Sequence, residues 1–110
     1  MKYYLIDEIS GQDMERLSLF LEHNGTMSGL DKIFWINAPE EILNETQSGH
    51  VRCHPYFFAV ELGAGMIKAE FFIRTLKDMR CTCSSSADER QSQFIIRFVD
   101  DIIRKLDIKT

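Results

Sequence analysis

The sequence has no cluster of basic residues: its 13 Lys and Arg are scattered among 17 Asp and Glu, and the net charge is -4. Proteins that bind nucleic acid draw affinity for the phosphate backbone from grouped Lys and Arg side chains. Long apolar runs are also missing, because the longest reach four or five residues, whereas a membrane helix needs about 20. We therefore expect a protein that binds neither nucleic acid nor membranes.

Cysteine is scarce, with three residues, and an odd number of cysteines does not complete a disulfide framework. Asp7 and Glu8 interrupt the N-terminal apolar stretch before the apolar region of a signal peptide develops. Reduced thiols without a secretion signal predict a cytoplasmic protein. The sequence shows no repeat, linker or low-complexity tract, so its length predicts a single α+β domain over residues 1–110.

The clearest pattern is an apolar hairpin. Even-numbered positions from Tyr56 to Leu62 and odd-numbered positions from Ile67 to Ile73 are apolar. Because side chains alternate between the two faces of a strand, a two-residue turn at Ala64–Gly65 places both apolar sets on one face. The predicted register sets these residues opposite each other: Leu62 and Ile67, Glu61 and Lys68, Phe58 and Phe71, Phe57 and Phe72.

Further strands and helices are predicted around this hairpin. The expected strands are residues 2–6, 33–36 and 79–83. The expected helices are Ser10 to Asn24, a short one at residues 39–45 with its end near Gly49, and a long one from Ser86 onward. Ser86 and Glu89 have the spacing of a capping box. We expect Phe98 and Ile102 of the long helix to pack on the apolar face of the hairpin. The pattern predicts a two-layer α+β fold: a mainly antiparallel sheet of about five strands, two main helices and one short helix.

Five residues of types that bind soft metals flank the hairpin: His50, Cys53, His54, Cys81 and Cys83. Zinc takes four N or S ligands at tetrahedral corners. We expect any bound metal to be zinc, held by Cys53, by Cys81 or Cys83, and by one of the two histidines. On a regular strand, however, the thiols of Cys81 and Cys83 would stand about 7 Å apart. Free cysteine also packs as a small hydrophobic residue, so core cysteines beside loop histidines are the alternative interpretation.

Cys53 is in addition a candidate nucleophile, because neighbouring imidazoles and Arg52 favour a thiolate. Adjacent side chains of an extended segment point apart, however, and no carboxylate that would orient an imidazole is identifiable. The sequence contains no diagnostic catalytic motif and no cofactor motif. It therefore favours a non-catalytic protein, with a small zinc- or thiol-dependent protein as the alternative.

The second face of the hairpin carries the apolar residues Phe57, Met66 and Phe72, with Arg74 among the polar residues around them. One layer of helices covers one face of a sheet, and soluble monomers rarely expose a large apolar patch. Twofold homodimers are the commonest oligomers. The sequence thus predicts a protein-association module that forms a homodimer through these four residues. Alternatively, the apolar patch could be covered by another protein partner, or by the short helix at Pro39 packed against this face.

Overall fold

The computed structural model describes residues 2–30 and 32–110. The predicted α+β fold with a mainly antiparallel sheet and a long C-terminal helix is confirmed. In chain order the elements are β1 (Tyr3–Ile6), α1 (Gly11–Asn24), β2 (Thr26–Met27), β3 (Ile33–Ala38), α2 (Glu45–Gly49), β4 (Tyr56–Gly63), β5 (Met66–Glu70), β6 (Phe72–Thr75), β7 (Ser85–Ser86) and α3 (Glu89–Lys105). Two 3₁₀ turns, Glu40–Ile42 and Val51–Cys53, flank α2.

The strands form one antiparallel sheet in the order β2-β3-β4-β5-β1. Strand β6 follows β5 along the same side of β4, and β7 pairs with the outer side of β6. The central strand β4 therefore has β3 on one side and the β5–β6 segment on the other. The sheet ends at β2 on one edge and at the short strands β1 and β7 on the other.

The hairpin register is confirmed at the turn. Leu62 lies opposite Ile67 and Glu61 lies opposite Lys68, around a two-residue turn at Ala64–Gly65. Gly65 has a φ of +68°, a conformation that glycine adopts without steric cost. The apolar alternation and the turn residues therefore specify the same register here.

The predicted register is wrong at the other end of the hairpin. Phe57 pairs with Arg74 and Tyr56 with Thr75, where the register of the turn would place Phe72 and Ile73. The strand is interrupted at Phe71, between β5 and β6. At this interruption the Ala59 N–H donates to the Glu70 carboxylate at 2.9 Å instead of to a strand carbonyl. A displacement by two residues keeps every side chain on its predicted face. An alternating pattern therefore cannot reveal this displacement.

Helices α1 and α3 form the second layer on one face of the sheet. Helix α1 buries Leu17 and Leu21, while α3 buries Ile95, Val99 and Ile102. The ring of Phe58 meets that of Phe98 edge-on, with 5.6 Å between their centroids, so the predicted packing of Phe98 on the hairpin is confirmed. Within the described part of the chain, no helix is both long enough and apolar enough to cross a membrane.

In the second half of the chain, the predicted start of the long helix and one predicted strand are wrong. Helix α3 begins at Glu89, and its capping box joins Asp88 to Gln91, because Ser86 is paired with Phe72 in the sheet. Residues 79–83 form turns instead of a strand. The Asp78 carboxylate accepts the Arg80 N–H at 3.1 Å. Such local hydrogen bonds to an aspartate compete with strand pairing.

The short helix predicted over residues 39–45 is divided in the structure. Residues Glu40–Ile42 form a 3₁₀ turn, and a separate helix, α2, begins after Asn44. The Asn44 side chain accepts the backbone N–H of Gln47 at 2.8 Å, and the Gln47 side chain accepts the backbone N–H of Asn44. This capping box stabilises a new helix start. It also places the Gln47 side chain against the loop that contains Cys81 and Cys83.

Candidate metal centre

Cys53, Cys81 and Cys83 come together in the folded chain. All three are free thiols, and their Sγ atoms lie within 4.8 Å of one another. Three thiolates on one zinc ion stand about 3.8 Å apart, given a Zn–S distance of about 2.3 Å. A closure of about 1 Å or less would therefore bring the three sulfur atoms around a zinc ion.

The Cys53 backbone is held by hydrogen bonds from the sheet. Cys53 ends the 3₁₀ turn Val51–Cys53, and its carbonyl accepts the Thr75 hydroxyl at 2.6 Å. Thr75 in turn donates its backbone N–H to the Ser84 hydroxyl at 3.0 Å. Because Thr75 is almost fully buried, these bonds fasten both cysteine-containing segments to strand β6.

The loop with Cys81 and Cys83 is fixed by the local turn and by two buried glutamines. The Cys81 N–H donates to the Asp78 carbonyl at 3.1 Å, which turns the chain so that both sulfur atoms face Cys53. The Cys83 carbonyl accepts from Gln47 Nε2 at 3.1 Å, and the side chain of Gln91 donates to Gln47 Oε1 at 2.9 Å. Both glutamines are fully buried. The thiol cluster is therefore supported by a polar network that reaches helix α3.

The three thiols have different electrostatic surroundings. Burial, followed by the two neighbouring thiols, raises the pKa of Cys53 to about 11. The backbone N–H of Cys83, and then its side chain, lower the pKa of Cys81 below its usual value. A raised pKa disfavours the thiolate that a nucleophile requires. The surroundings of Cys53 therefore suit a metal ligand, from which a bound cation displaces the proton, better than they suit a nucleophile.

Tyr56 brings a buried hydroxyl to the same cluster. The side chain is fully buried, and none of residues 2–30 and 32–110 satisfies its hydroxyl with a hydrogen bond. Burial raises the pKa of Tyr56 above its usual value, and the neighbouring Cys83 side chain raises it further. A buried hydroxyl without a partner is rare in folded proteins.

The two predicted histidine ligands lie outside the group of three thiols. His50 is exposed, and its Nδ1 donates to the Thr46 carbonyl at 2.7 Å. His54 Nε2 donates to the Gln47 carbonyl at 2.8 Å. Its ring also meets the Tyr56 ring edge-on, with centroids 5.3 Å apart. The structure thus brings together three of the five predicted ligands and gives each histidine ring a backbone partner.

A cleft of about 420 Å³ borders two of the three cysteines. Its walls are Gly49, His50, Val51, Arg52, Cys53, Asp78 and Cys81. Cys53 and Cys81 face this cleft, while Cys83 lies behind them and is almost fully buried. A larger cleft of about 600 Å³ lies between α1 and the β4–β5 turn, but its lining contains neither cysteine nor histidine. Of these two clefts, the smaller one is lined by candidate metal ligands.

The predicted interface residues Phe57, Met66, Phe72 and Arg74 lie on the sheet face opposite α1 and α3, which we call the open face. The Arg74 guanidinium is bonded to the Glu70 carboxylate at 2.7 and 3.0 Å. It also lies over the ring of Phe72, 4.9 Å from the centroid. The turn Glu40–Ile42 packs on α3 instead, where the Glu41 carbonyl accepts from Arg90. That turn therefore contacts the helical layer and not the open face.

Sequence reasoning missed Tyr56, Gln47, Gln91 and Thr75 as parts of this centre. Tyr56 fits the apolar alternation of β4, so it reads as an ordinary core residue. The spacing from Asn44 to Gln47 is that of a capping box, and this signal would have placed a helix start beside the cysteines. Gln91 has the same spacing after Asp88, but its bond to Gln47 and the bond of Thr75 to Cys53 join residues distant in the sequence, so they leave no local signal.

Comparisons with protein-family models, curated proteins and solved structures give no significant match for this chain.

Proposed function

We propose that this protein is a small zinc-binding domain in which the thiolates of Cys53, Cys81 and Cys83 hold the metal. The observation that supports this function is the convergence of three free thiols within 4.8 Å. Zinc favours thiolate sulfur and four-coordinate geometry. The proposal includes a cytoplasmic location, because a reducing compartment keeps such thiols available for a metal.

His50 is the protein side chain best placed to provide the fourth ligand. It lines the cleft with Cys53 and Cys81, and it is exposed, with its ring held by a single hydrogen bond to Thr46. His54 is enclosed between the Gln47 carbonyl and the Tyr56 ring. A rotation of the His50 side chain costs the loss of one exposed hydrogen bond, of about 1 kcal/mol, which metal coordination would offset.

The bound zinc would join the 3₁₀ turn before β4 to the loop after β6. These two segments meet at the thiols, and each is tied to Thr75. A structural zinc ion stabilises the folded state because the unfolded chain lacks the preformed site. We therefore expect the metal to fix the cysteine-containing loop.

The test is elemental analysis of protein purified without a metal-affinity tag. We expect about one equivalent of zinc in the wild-type protein, and a strong loss in Cys83→Ser. Less than about a tenth of an equivalent in the wild type, even after reconstitution under reducing conditions, would overturn the proposal, since structural sites are filled when folded.

A matched pair of variants tests the fourth ligand. His50→Ala should weaken zinc binding, whereas His23→Ala should not. Both rings are exposed, and each donates to a backbone carbonyl four residues earlier, at 2.7 Å for His50 and 2.8 Å for His23. Equal zinc affinity in the two variants would exclude His50 and leave the fourth position to His54 or to solvent.

A second proposal is that two copies of the chain associate through their open faces. The open face carries Phe57, Met66 and Phe72 in half-buried positions, and a groove of about 370 Å³ runs across it beside Trp35 and Arg74. Pairing of the apolar groups with a second copy would remove them from water. Another protein partner would cover the same surface.

Light scattering at micromolar concentration tests this association. We expect a wild-type dimer that Phe72→Glu weakens while the fold is retained. Leu19→Glu is the control, because Leu19 is an exposed apolar side chain that belongs to helix α1 and not to the open face. A wild-type monomer throughout this range would contradict the homodimer.

A further inference from the structure

A zinc ion held by three thiolates forms a centre with a net negative charge. This inference rests on the zinc binding proposed above. Burying a charge is costly unless hydrogen-bond donors surround it, and the donors around metal ligands strongly influence metal affinity. Each of the three sulfur atoms therefore needs a donor or access to water.

Two of the sulfur atoms have such surroundings. The backbone N–H of Cys83 lowers the pKa of Cys81, which is the effect of a donor on that sulfur. Cys53 lines the cleft that Arg52 also lines, so water and a cationic side chain are near it. Cys83 is almost fully buried, and it does not line this cleft. Its sulfur therefore depends on a donor from the protein.

Tyr56 lies at the end of the sheet that holds the thiols, because its strand partner Thr75 bonds the Cys53 carbonyl and Ser84, the residue after Cys83. Besides burial, the Cys83 side chain raises the pKa of the Tyr56 hydroxyl. Tyr56 is the first residue of the central strand β4. Its backbone pairs with Ala38 on one side and with Thr75 on the other. The side chain is fully buried, so the hydroxyl has no route to bulk water. In the part of the chain that the structure describes, it has no hydrogen-bond partner.

We propose that the Tyr56 hydroxyl donates a hydrogen bond to the Cys83 sulfur when that sulfur is bound to zinc. A neutral thiol is a weak acceptor, whereas a metal-bound thiolate is a charged and much stronger one. The hydroxyl is thus poorly satisfied without metal and well satisfied with it. Tyr56 is a positioning residue in this scheme, not a metal ligand.

This role of Tyr56 predicts that Tyr56→Phe has opposite effects on the metal-free and the zinc-bound protein. Tyr56→Phe keeps the ring and removes the oxygen. Without zinc, the variant no longer buries an unsatisfied hydroxyl, so its melting temperature should stay equal or rise by about 4 °C. With zinc, the Cys83 thiolate loses its donor, and zinc affinity should fall about 10- to 100-fold, as for other residues that support metal ligands.

The experiment measures zinc affinity by chelator competition, and melting temperature with and without zinc, for wild type, Tyr56→Phe and Tyr4→Phe. Tyr4 is the control because its hydroxyl donates to Asp100 at 2.7 Å, between β1 and α3. Tyr4→Phe should lower the melting temperature in both states and leave zinc affinity unchanged. The stabilisation conferred by zinc should shrink in Tyr56→Phe alone.

The outcomes separate this inference from the proposed function. If the wild type binds no zinc, the proposed function fails and this inference fails with it. If the wild type binds zinc and Tyr56→Phe binds it equally well, the inference alone is overturned. A Tyr56→Phe variant that melts lower without zinc would also overturn it, because the hydroxyl would then stabilise the metal-free fold.

Discussion

The two ends of the central hairpin are stabilised in different ways. The turn end, around Leu62 and Ile67, combines a tight two-residue turn with directly opposed apolar side chains. The cysteine end, around Tyr56 and Thr75, combines paired backbone with buried polar side chains. Apolar burial at the turn end is non-directional, whereas the cysteine end depends on hydrogen bonds with defined partners.

The candidate metal ligands lie at the end that depends on hydrogen bonds. Buried polar groups are costly when they are unpaired, and a chain without a use for them would replace them with apolar residues of similar size. Gln47, Gln91 and Thr75 are all fully or almost fully buried, and they connect the backbone of Cys53 and Cys83 to helix α3. Under the proposed function, these polar groups hold the thiols in position.

The largest expected effect comes from breaking the turn end. Ile67 is fully buried, so Ile67→Ala should lower the free energy of unfolding by about 3 kcal/mol through lost burial and a residual cavity. Zinc affinity should not change, because Ile67 lies far along the strand from the thiols. Urea denaturation measures the first effect and chelator competition the second. A loss below about 1 kcal/mol would show that the turn end does not bury its apolar pairs as described.

A smaller effect on stability, together with an effect on zinc, is expected at the cysteine end. Thr75→Val keeps the shape of the side chain but leaves the buried Cys53 carbonyl without the hydroxyl that donates to it. The cost should be about 2 kcal/mol, and zinc affinity should fall because the Cys53 turn is no longer held. Thr26→Val, at an exposed position of β2, is the control. Unchanged zinc affinity in Thr75→Val would separate this hydrogen bond from the metal centre.

The smallest effect is expected for the ion pair across the turn end. Lys68 Nζ and Glu61 Oε1 are 3.6 Å apart and both side chains are partly exposed, so Glu61→Gln should cost less than about 0.5 kcal/mol. The register of the hairpin should be retained, because the apolar pairs determine it. Urea denaturation again provides the measurement. A loss above about 1.5 kcal/mol would mean that charge pairing contributes strongly to the register.

The same contrast explains how much the sequence could predict. At the turn end, alternation and turn residues act locally, and the pairing of Leu62 with Ile67 follows from them. At the cysteine end, the two-residue displacement at Phe71 leaves every side chain on its predicted face. A turn at Asp78 also takes the place of the predicted strand over residues 79–83. The fold class and the face of each hairpin residue were therefore predictable, but the pairing of Phe57 was not.

The candidate site was predictable only as a set of residue types. The three cysteines have suitable chemistry, but their convergence depends on hydrogen bonds between distant segments, such as the one from Thr75 to Cys53. The positions of the two histidines depend on equally specific backbone partners, the carbonyls of Thr46 and Gln47. Neither set of contacts leaves a periodic pattern in the sequence.

The short border strands limit how another chain could join this sheet. One border is β2, with two residues, and the other consists of β1, with four, and β7, with two. Borders this short offer few free backbone N–H and C=O groups to an incoming strand, which protects a protein against fibril-like growth. Residues 36–38 of β3 extend beyond its pairing with β2, so an added strand would find only a short stretch there. A partner that covers the open face would instead recognise side chains, and its specificity would depend on their shape and charge.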